Sequence, residues 1–382
     1  MDLPGPAKPQ TTIFTVMSAL AQRHGAVNLG QGFPDESGPE HVVEAAVAAM
    51  RDGRNQYPPM PGVPELREAI AAHQRDWYGL APSPEDGVVV TAGATEAIAA
   101  SMLAFVRPGD EVVAMEPFYD SYKAAVELAG GTIVPWRLDA PGFRPDLARL
   151  GGLVTERTRV LLLNTPHNPT GTVLDRAELE AVARLAVERD LLVVTDEVYE
   201  HLVFAGSRHE PVAGLPGMWD RTLSIGSAGK TFSVTGWKIG WATGPAALVD
   251  RVKGVKQYLT FASGTPFQYG IAAALGSGRE FYDGFVADYA ERRDLLTAGL
   301  AALGFTVYEP QGTYFVTTSA APLGYEDGMA FCLGLPERCG VVAIPNQVFY
   351  ADPAAARPEV RFTFCKPRAV LEEGLERLRK GL

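Results

Sequence analysis

The sequence predicts an α/β protein: a large domain with a mostly parallel, seven-stranded sheet between helices, joined to a small α+β domain. Three observations carry this. Seven short, largely apolar runs read as strands, at 88–91, 111–115, 132–136, 159–164, 191–195, 222–225 and 239–243. Helical patterns at 95–106, 119–129 and 175–189 separate most of them. Strands apolar on both faces are covered on both faces, and strands linked through helices run parallel. After about residue 245 the pattern turns helical, with a long helix near 279–303, then strands near 305–309, 313–317, 341–344 and 360–364 and a closing helix at 369–379.

Taken in order, residues 1–25 are a polar, proline-bearing arm with a helical pattern around 13–21. A short strand at 27–32 ends in Gly30-Gln31-Gly32. The helix at 39–50 carries Val42, Val43, Ala46, Val47 and Met50 on one face. A loop at 55–59 leads to a helix at 63–78, where Pro64 suits the first turn. The expected division is an arm (1–25), a small domain (26–40 with 280–382) and a large cofactor-binding domain (41–279).

The chain has 382 residues, enough for such a pair of domains. Its net charge of −11 argues against a nucleic-acid surface. No apolar run approaches the ~20 residues that span a bilayer, and no secretory signal is visible. The three cysteines (Cys332, Cys339, Cys365) have no metal spacing and fit reduced thiols in a cytoplasmic protein.

Ligands of open α/β sheets sit beyond the carboxyl ends of the strands. Gly93-Ala94-Thr95, the segment 164–168, Asp196 and the segment 227–230 all fall there. Lys230 lies on a tight, small-residue turn in Ser227-Ala228-Gly229-Lys230. A lysine presented to a cleft in this way suits covalent capture of a carbonyl cofactor, and Lys230 is taken to carry pyridoxal 5′-phosphate. Two decoys fail. Gly229-Lys230-Thr231 resembles the end of a P-loop, but Ser224 stands where the first glycine belongs. Gly30 and Gly32 begin a dinucleotide fingerprint, but Asp35 takes its third glycine position.

A pyridoxal ring draws electrons while its ring nitrogen stays protonated, and a buried carboxylate at a strand end, Asp196, can hold that proton. Its alternative is a helix N-cap. Tyr199 can donate to the ring oxygen or be a packed aromatic. Asn168, held extended before a proline, can donate to the same oxygen. His167 is a tempting general base, but the lysine amine released on substrate binding is better placed. Ala94 and Thr95 open a helix whose free N–H groups can seat a phosphate, with Ser227 and Lys238 completing the cradle. Tyr119 can stack on the ring, with Phe118 as competitor. Arg361 interrupts an apolar alternation and can clamp a substrate carboxylate, or be an exposed strand arginine. Glu197, Glu200 and His201 are a weak metal signal, with His201 read as a surface or packing residue. No metal is expected.

At these residues the sequence resembles the fold-type-I pyridoxal-phosphate aminotransferases of class I/II, across nearly the whole chain. The segments that carry the resemblance include 28–35, 55–57, 91–97, 164–171, 196–202, 227–233, 235–241 and 360–364. Within the family it is similar to the N-succinyldiaminopimelate aminotransferases of bacterial lysine synthesis and to the kynurenine/glutamine/methionine transaminases. Segments 117–122, 312–315 and 322–327 incline the reading to the former. The resemblance implies Lys230 as the Schiff-base lysine, Asp196 at the ring nitrogen, and Asn168 and Tyr199 at the ring oxygen. It implies Tyr119 stacked on the ring, and Ala94, Thr95, Ser227 and Lys238 on the phosphate. Gly32 and Arg361 would meet the substrate carboxylate. Tyr57 would reach the phosphate of a neighbouring subunit, so a homodimer is expected, with Phe261 and Thr265 near that interface. Lys238 departs from the arginine common at this place in aspartate-specific relatives; the charge is kept but the fork is lost.

The implied reaction moves an amino group from an amino acid to a 2-keto acid, with glutamate and 2-oxoglutarate as the expected pair. Rival readings are a kynurenine, glutamine, methionine or aromatic aminotransferase, a C–S β-lyase on the same fold, and a pyridoxal-binding transcription regulator. The last is disfavoured because the chain begins almost directly at the arm.

Overall fold

The computed structural model describes residues 12–382, so the first part of the expected arm lies outside the described residues. Helix α1 (Ile13–His24) is N-capped by Thr12, and Gly25 in the left-handed region closes it. Strand β1 (Val27–Asn28) precedes α2 (Glu40–Arg51) and α3 (Pro64–Tyr78), the latter opened by its proline and ended at Gly79.

The central layer then alternates as expected: β2 (Val88–Ala92), α4 (Gly93–Phe105), β3 (Glu111–Glu116), α5 (Asp120–Leu128), β4 (Thr132–Asp139), β5 (Arg144–Pro145), α6 (Leu147–Leu153), β6 (Thr158–Asn164), α7 (Arg176–Glu188), β7 (Leu192–Asp196), β8 (Thr222–Ser227), the single turn α8 (Ala228–Thr231) and β9 (Ile239–Thr243). Helix α7 starts on a capping box between Asp175 and Glu178. The sheet order is β2-β9-β8-β7-β6-β3-β4-β5. The seven expected strands are all present. The eighth, β5, is a two-residue antiparallel edge, too short for periodicity to signal. Side chains alternate between the two covered faces. Val112 and Ala114 of β3 pack with Ile98 and Met102 of α4 and Val126 of α5, whereas Val113 and Met115 pack with Leu150 of α6 and Leu179 and Val182 of α7.

One departure from parallel geometry builds the site. Strand β9 is antiparallel to both neighbours, with Ile239 opposite Ala92 and Gly240 opposite Ser227. Its entry, Lys238, therefore lies at the edge where β2 and β8 end.

Helices α9 (Ala246–Leu259), α10 (Thr265–Leu275) and α11 (Arg279–Ala302) follow, then β10 (Thr306–Tyr308), β11 (Phe315–Ser319), α12 (Gly328–Cys339), β12 (Val341–Val342), β13 (Ile344–Pro345), β14 (Glu359–Thr363) and α13 (Arg368–Gly381). An antiparallel sheet runs β10-β11-β14-β13, and β1 pairs in parallel with β12. Helix α12 had no sequence signal: Gly328, Gly334 and Pro336 interrupt its pattern, yet Asp327 caps it through Met329 and Ala330 N–H, and Phe331, Cys332 and Leu335 are buried. Among the described residues no helix is long and apolar enough to cross a membrane.

Candidate active site

A cavity of about 440 Å³ opens at the carboxyl edge of the large sheet and is walled by both sheets. The register places Asn164 beside Asp196, and Asp196 beside Ile225, so β6, β7 and β8 deliver their last residues to one line. Asp196 is buried. The Tyr122 hydroxyl donates to its Oδ2 at 2.6 Å and the Val198 N–H to its Oδ1 at 3.2 Å. Burial pushes its pKa up to about 6, while the Tyr122 and Val198 donors and the Lys230 charge restrain the rise. The carboxylate is therefore fixed in direction and costly to charge unless a cation meets it.

Asn164 stitches this edge together. Its Nδ2 donates to the Asp196 carbonyl at 2.9 Å, and its Oδ1 accepts from the Asn168 N–H at 2.8 Å. Asn168 in turn accepts on Oδ1 from Arg361 at 2.9 Å, which leaves Nδ2 as the free branch of its amide. Tyr199 is buried with its ring edge-on to Tyr314, centroids 5.2 Å apart.

Lys230 is half-buried in α8, whose N-cap is Ser227. Its Nζ lies 5.9 Å from the Tyr199 ring centroid and 5.7 Å from that of Tyr314. Burial lowers its pKa to about 8; the Lys238 and Arg361 charges push the same way, and Asp196 opposes them. An amine titrating there has a substantial neutral fraction near physiological pH, as a nucleophile or base requires.

Opposite stands an anion seat. Helix α4 begins straight from β2 at Gly93 (φ +75°), so the first N–H groups of the helix face the cavity with Ala94 and Thr95. A Cβ on Gly93 would lie 3.1 Å from Lys238 Nζ, and one on Gly240 would lie 2.6 Å from the Gly93 carbonyl carbon. Glycine at both places is what lets the lysine and the helix start converge.

Arg361, in β14, is 2% exposed. Its NH2 group donates to the Gly30 carbonyl at 3.0 Å, and its guanidinium stacks 3.9 Å from the Phe315 ring centroid. Burial lowers its pKa to about 10, so it stays charged. Its buried Nε has no partner among the described residues, a donor that a ligand carboxylate would satisfy. Gly32 borders the same space. Its carbonyl accepts from the Tyr314 hydroxyl at 2.6 Å, and a Cβ there would lie 2.3 Å from Phe315 Cζ.

Twelve residues were singled out by the sequence for this site, and eleven of them line the cavity: Gly32, Ala94, Thr95, Tyr119, Asn168, Asp196, Tyr199, Ser227, Lys230, Lys238 and Arg361. Tyr119 lines it, whereas Phe118 is buried in the core. Tyr57 is not among the lining residues; it is 86% exposed, its ring edge-on to Phe261 with centroids 5.7 Å apart. Thr265 donates to the Gln56 carbonyl at 2.7 Å, beside the same loop. His167 is fully buried outside the cavity, bonded through Nδ1 to Thr170 at 2.7 Å, and burial drives its pKa down to about 3, so it is no general base here. Sequence reasoning missed Tyr122, Asn164, Phe14 and Gln31. The strand-end rule places Asn164 at this edge but assigns it no role; nothing local marks the others.

The donor set fits a pyridoxal phosphate: an amine, a fixed carboxylate, a cationic helix-start cradle and an arginine with an unmet donor. A family model described as aminotransferase class I and II matches residues 25–378. The probable N-succinyldiaminopimelate aminotransferase DapC of Mycobacterium tuberculosis is 51% identical over 379 residues, covering 96% of this chain and 95% of its own length. The methionine aminotransferase of Escherichia coli is 41% identical, covering 97% and 96%. The solved structure of N-succinyldiaminopimelate aminotransferase from Mycobacterium tuberculosis superposes with a TM-score of 0.95, covering 97% of each chain.

Proposed function

The chain belongs to the class I and II aminotransferases and is a pyridoxal-phosphate-dependent enzyme, and from that premise we propose that it is an N-succinyldiaminopimelate aminotransferase of lysine synthesis, paired with glutamate and 2-oxoglutarate. The observation that carries the substrate reading is the 51% identity, over 96% of the chain, to a relative of that name.

When bound, the cofactor draws electrons away from the substrate Cα and so makes its proton removable. The chain's own residues do the rest. Lys230 would hold the cofactor and, as a free amine, would serve as the base for the Cα proton; its pKa near 8 suits both duties. Asp196, aimed by Tyr122 and Val198, keeps the ring nitrogen protonated. Asn168 and Tyr199 hold the ring oxygen, and Tyr119 covers a ring face. Ala94, Thr95, Ser227 and Lys238 grip the phosphate. Arg361, with Gly32 alongside, orients the α-carboxylate that both substrates share. In this reading the enzyme is a cytoplasmic homodimer in which Tyr57 completes the phosphate site of the neighbour, with Phe261 and Thr265 at the interface. Residues 41–279 form the large domain, and 26–40 with 280–382 the small one.

A second reading, a methionine or aromatic donor, is favoured by the rings of Phe14, Phe33, Phe315 and Tyr119 in the cavity wall. A half-reaction screen separates them. Holoenzyme is mixed with single amino acids, and loss of the visible absorbance of the cofactor–lysine linkage is timed. N-succinyl-L,L-diaminopimelate and glutamate are expected to react fastest. Faster reaction with methionine, kynurenine or phenylalanine overturns the substrate reading, and pyruvate with ammonia formed without a keto acid would indicate a lyase.

A further inference from the structure

Behind the cavity, on the far side of the segment that follows Asp196, three metal-ligating side chains converge. His73 comes from α3; Glu200 and His201 come from the turn after β7. Their ligand atoms lie within 4.8 Å of one another, and the two Nε2 atoms face each other at 2.7 Å. All three residues are buried, with His73 4% exposed and Glu200 and His201 8% exposed each. Aromatic rings wall them in: Trp77 and Tyr282 have centroids 4.6 Å and 4.3 Å from that of His201. None of these residues lines the active-site cavity.

A proton shared between the rings would satisfy the two facing nitrogens and nothing more. Glu200 Oε2 is buried without a partner among the described residues. The Tyr78 hydroxyl bonds this carboxylate, and the oxygen left over can join the two converging imidazoles on a shared cation. A lone proton cannot bridge three donors; a divalent ion can. Buried Glu197, the preceding carboxylate of the turn, is taken up by Ser224 and His209 and is not one of the three. Two imidazoles and one carboxylate supply three of the four N and O ligands that tetrahedral zinc takes at ~2.0–2.2 Å, the fourth position falling to a water. Opening the His73–His201 gap by roughly half an ångström would reach the ~3.3 Å ligand separation that this geometry gives.

We propose that His73, Glu200 and His201 form a structural Zn²⁺ site that pins α3 to the turn carrying Asp196 and Tyr199. The sequence expected no metal, reading His201 as a surface or packing residue; His73 lies 127 residues before Glu200, and only folding brings them together. The ion takes no part in the reaction. It holds from behind the segment whose front face lines the cavity.

The test uses holoenzyme stripped with a chelator and titrated with Zn²⁺ alone against a chromogenic zinc indicator. One site per chain is expected, and His73→Gln or Glu200→Gln should weaken it more than about tenfold. Zn²⁺ should also raise the Tm of the wild type but not of these variants. Because a buried substitution can impair folding, the unaltered protein is also loaded with Co²⁺, where visible bands of a tetrahedral site, displaced by Zn²⁺, are expected. Absence of stoichiometric binding to the wild type, no tetrahedral Co²⁺ spectrum, or binding that both variants retain would overturn the site and leave the two histidines as a simple hydrogen-bonded pair.

Discussion

Replacing Tyr122 with phenylalanine isolates one hydroxyl and keeps the ring. That hydroxyl donates to Asp196 Oδ2 at 2.6 Å. A hydrogen bond to a charged acceptor contributes about 1.5–3 kcal/mol, and one pKa unit corresponds to about 1.4 kcal/mol. Asp196, which stands at about 6 in the cofactor-free protein, should therefore rise by about 1–2 units. Its raised pKa means that the folded protein holds the proton more tightly than the unfolded chain. The cost of the buried charge, about 3 kcal/mol, is present above pH 6 and disappears as pH falls toward the ordinary carboxylate value of 3.8. The cofactor's ring proton offsets that cost only if the carboxylate is ionised. Cofactor affinity of the apoenzyme, followed by recovery of visible absorbance, should thus weaken below about pH 6 in the wild type. In Tyr122→Phe the same acid limb should sit about 1–2 pH units higher. An acid limb in the same place in both proteins would refute the reasoning, because it would mean that Tyr122 does not tune this carboxylate.

The remaining predictions follow the other walls of the cavity. Lys230→Ala should abolish turnover and the visible cofactor–lysine absorbance. In the wild-type apoenzyme, cofactor capture should accelerate as pH rises through about 8; a midpoint near 10 would contradict a buried amine. Arg361→Lys keeps the charge but loses the fork, so KM for both the amino acid and the keto acid should rise about 10–100-fold, and an unchanged KM removes Arg361 from substrate binding. Gly32→Ala drives a Cβ to within 2.3 Å of Phe315 Cζ; overpacking should cost about 1–3 kcal/mol, measurable by denaturant unfolding. Tyr57→Phe should weaken cofactor affinity while leaving Tm within a degree or two, since its ring is 86% exposed in the single chain; an unchanged affinity argues against a shared site.

Much of the fold was legible because fully apolar strands have only one environment that suits them. The strand-end rule then pointed to Asp196 and Lys230. What stayed hidden depends on distance along the chain or on backbone geometry that no residue type announces. Tyr122 meets Asp196 across 74 positions, and Asn168 meets Arg361 across 193. The antiparallel run of β9, which brings Lys238 to the phosphate seat, cannot be read from five mostly apolar residues. Phe14 looked like part of an arm and Gln31 like the end of a short strand, but the Gln31 side chain donates to the Phe14 carbonyl at 2.8 Å and both line the cavity. Tyr57 shows the converse limit: it was singled out only by resemblance, and nothing within one chain brings it to the cavity.

Burial is the main reason that the cavity's lysine is readily deprotonated, and the charges of Lys238 and Arg361 act in the same direction against Asp196. Lys230, Lys238 and Arg361 line the cavity, against Asp196 alone. With the phosphate seat built from helix N–H groups, which also favour anions, the protein alone carries an excess of positive potential. The charges of Lys238 and Arg361 each act with burial in lowering Lys230, while Asp196 opposes them. Both proposed ligands are anions at the points that matter, a phosphate at Lys238 and a carboxylate at Arg361. Their arrival neutralises the two cations that disfavour the Lys230 charge. The same lysine would then become more basic once cofactor and substrate are seated, which is when it must take a proton from carbon. Selectivity between amino acids has no share in this balance. It falls instead to the uncharged walls, among them Phe14, Gln31, Phe33, Tyr119 and Phe315.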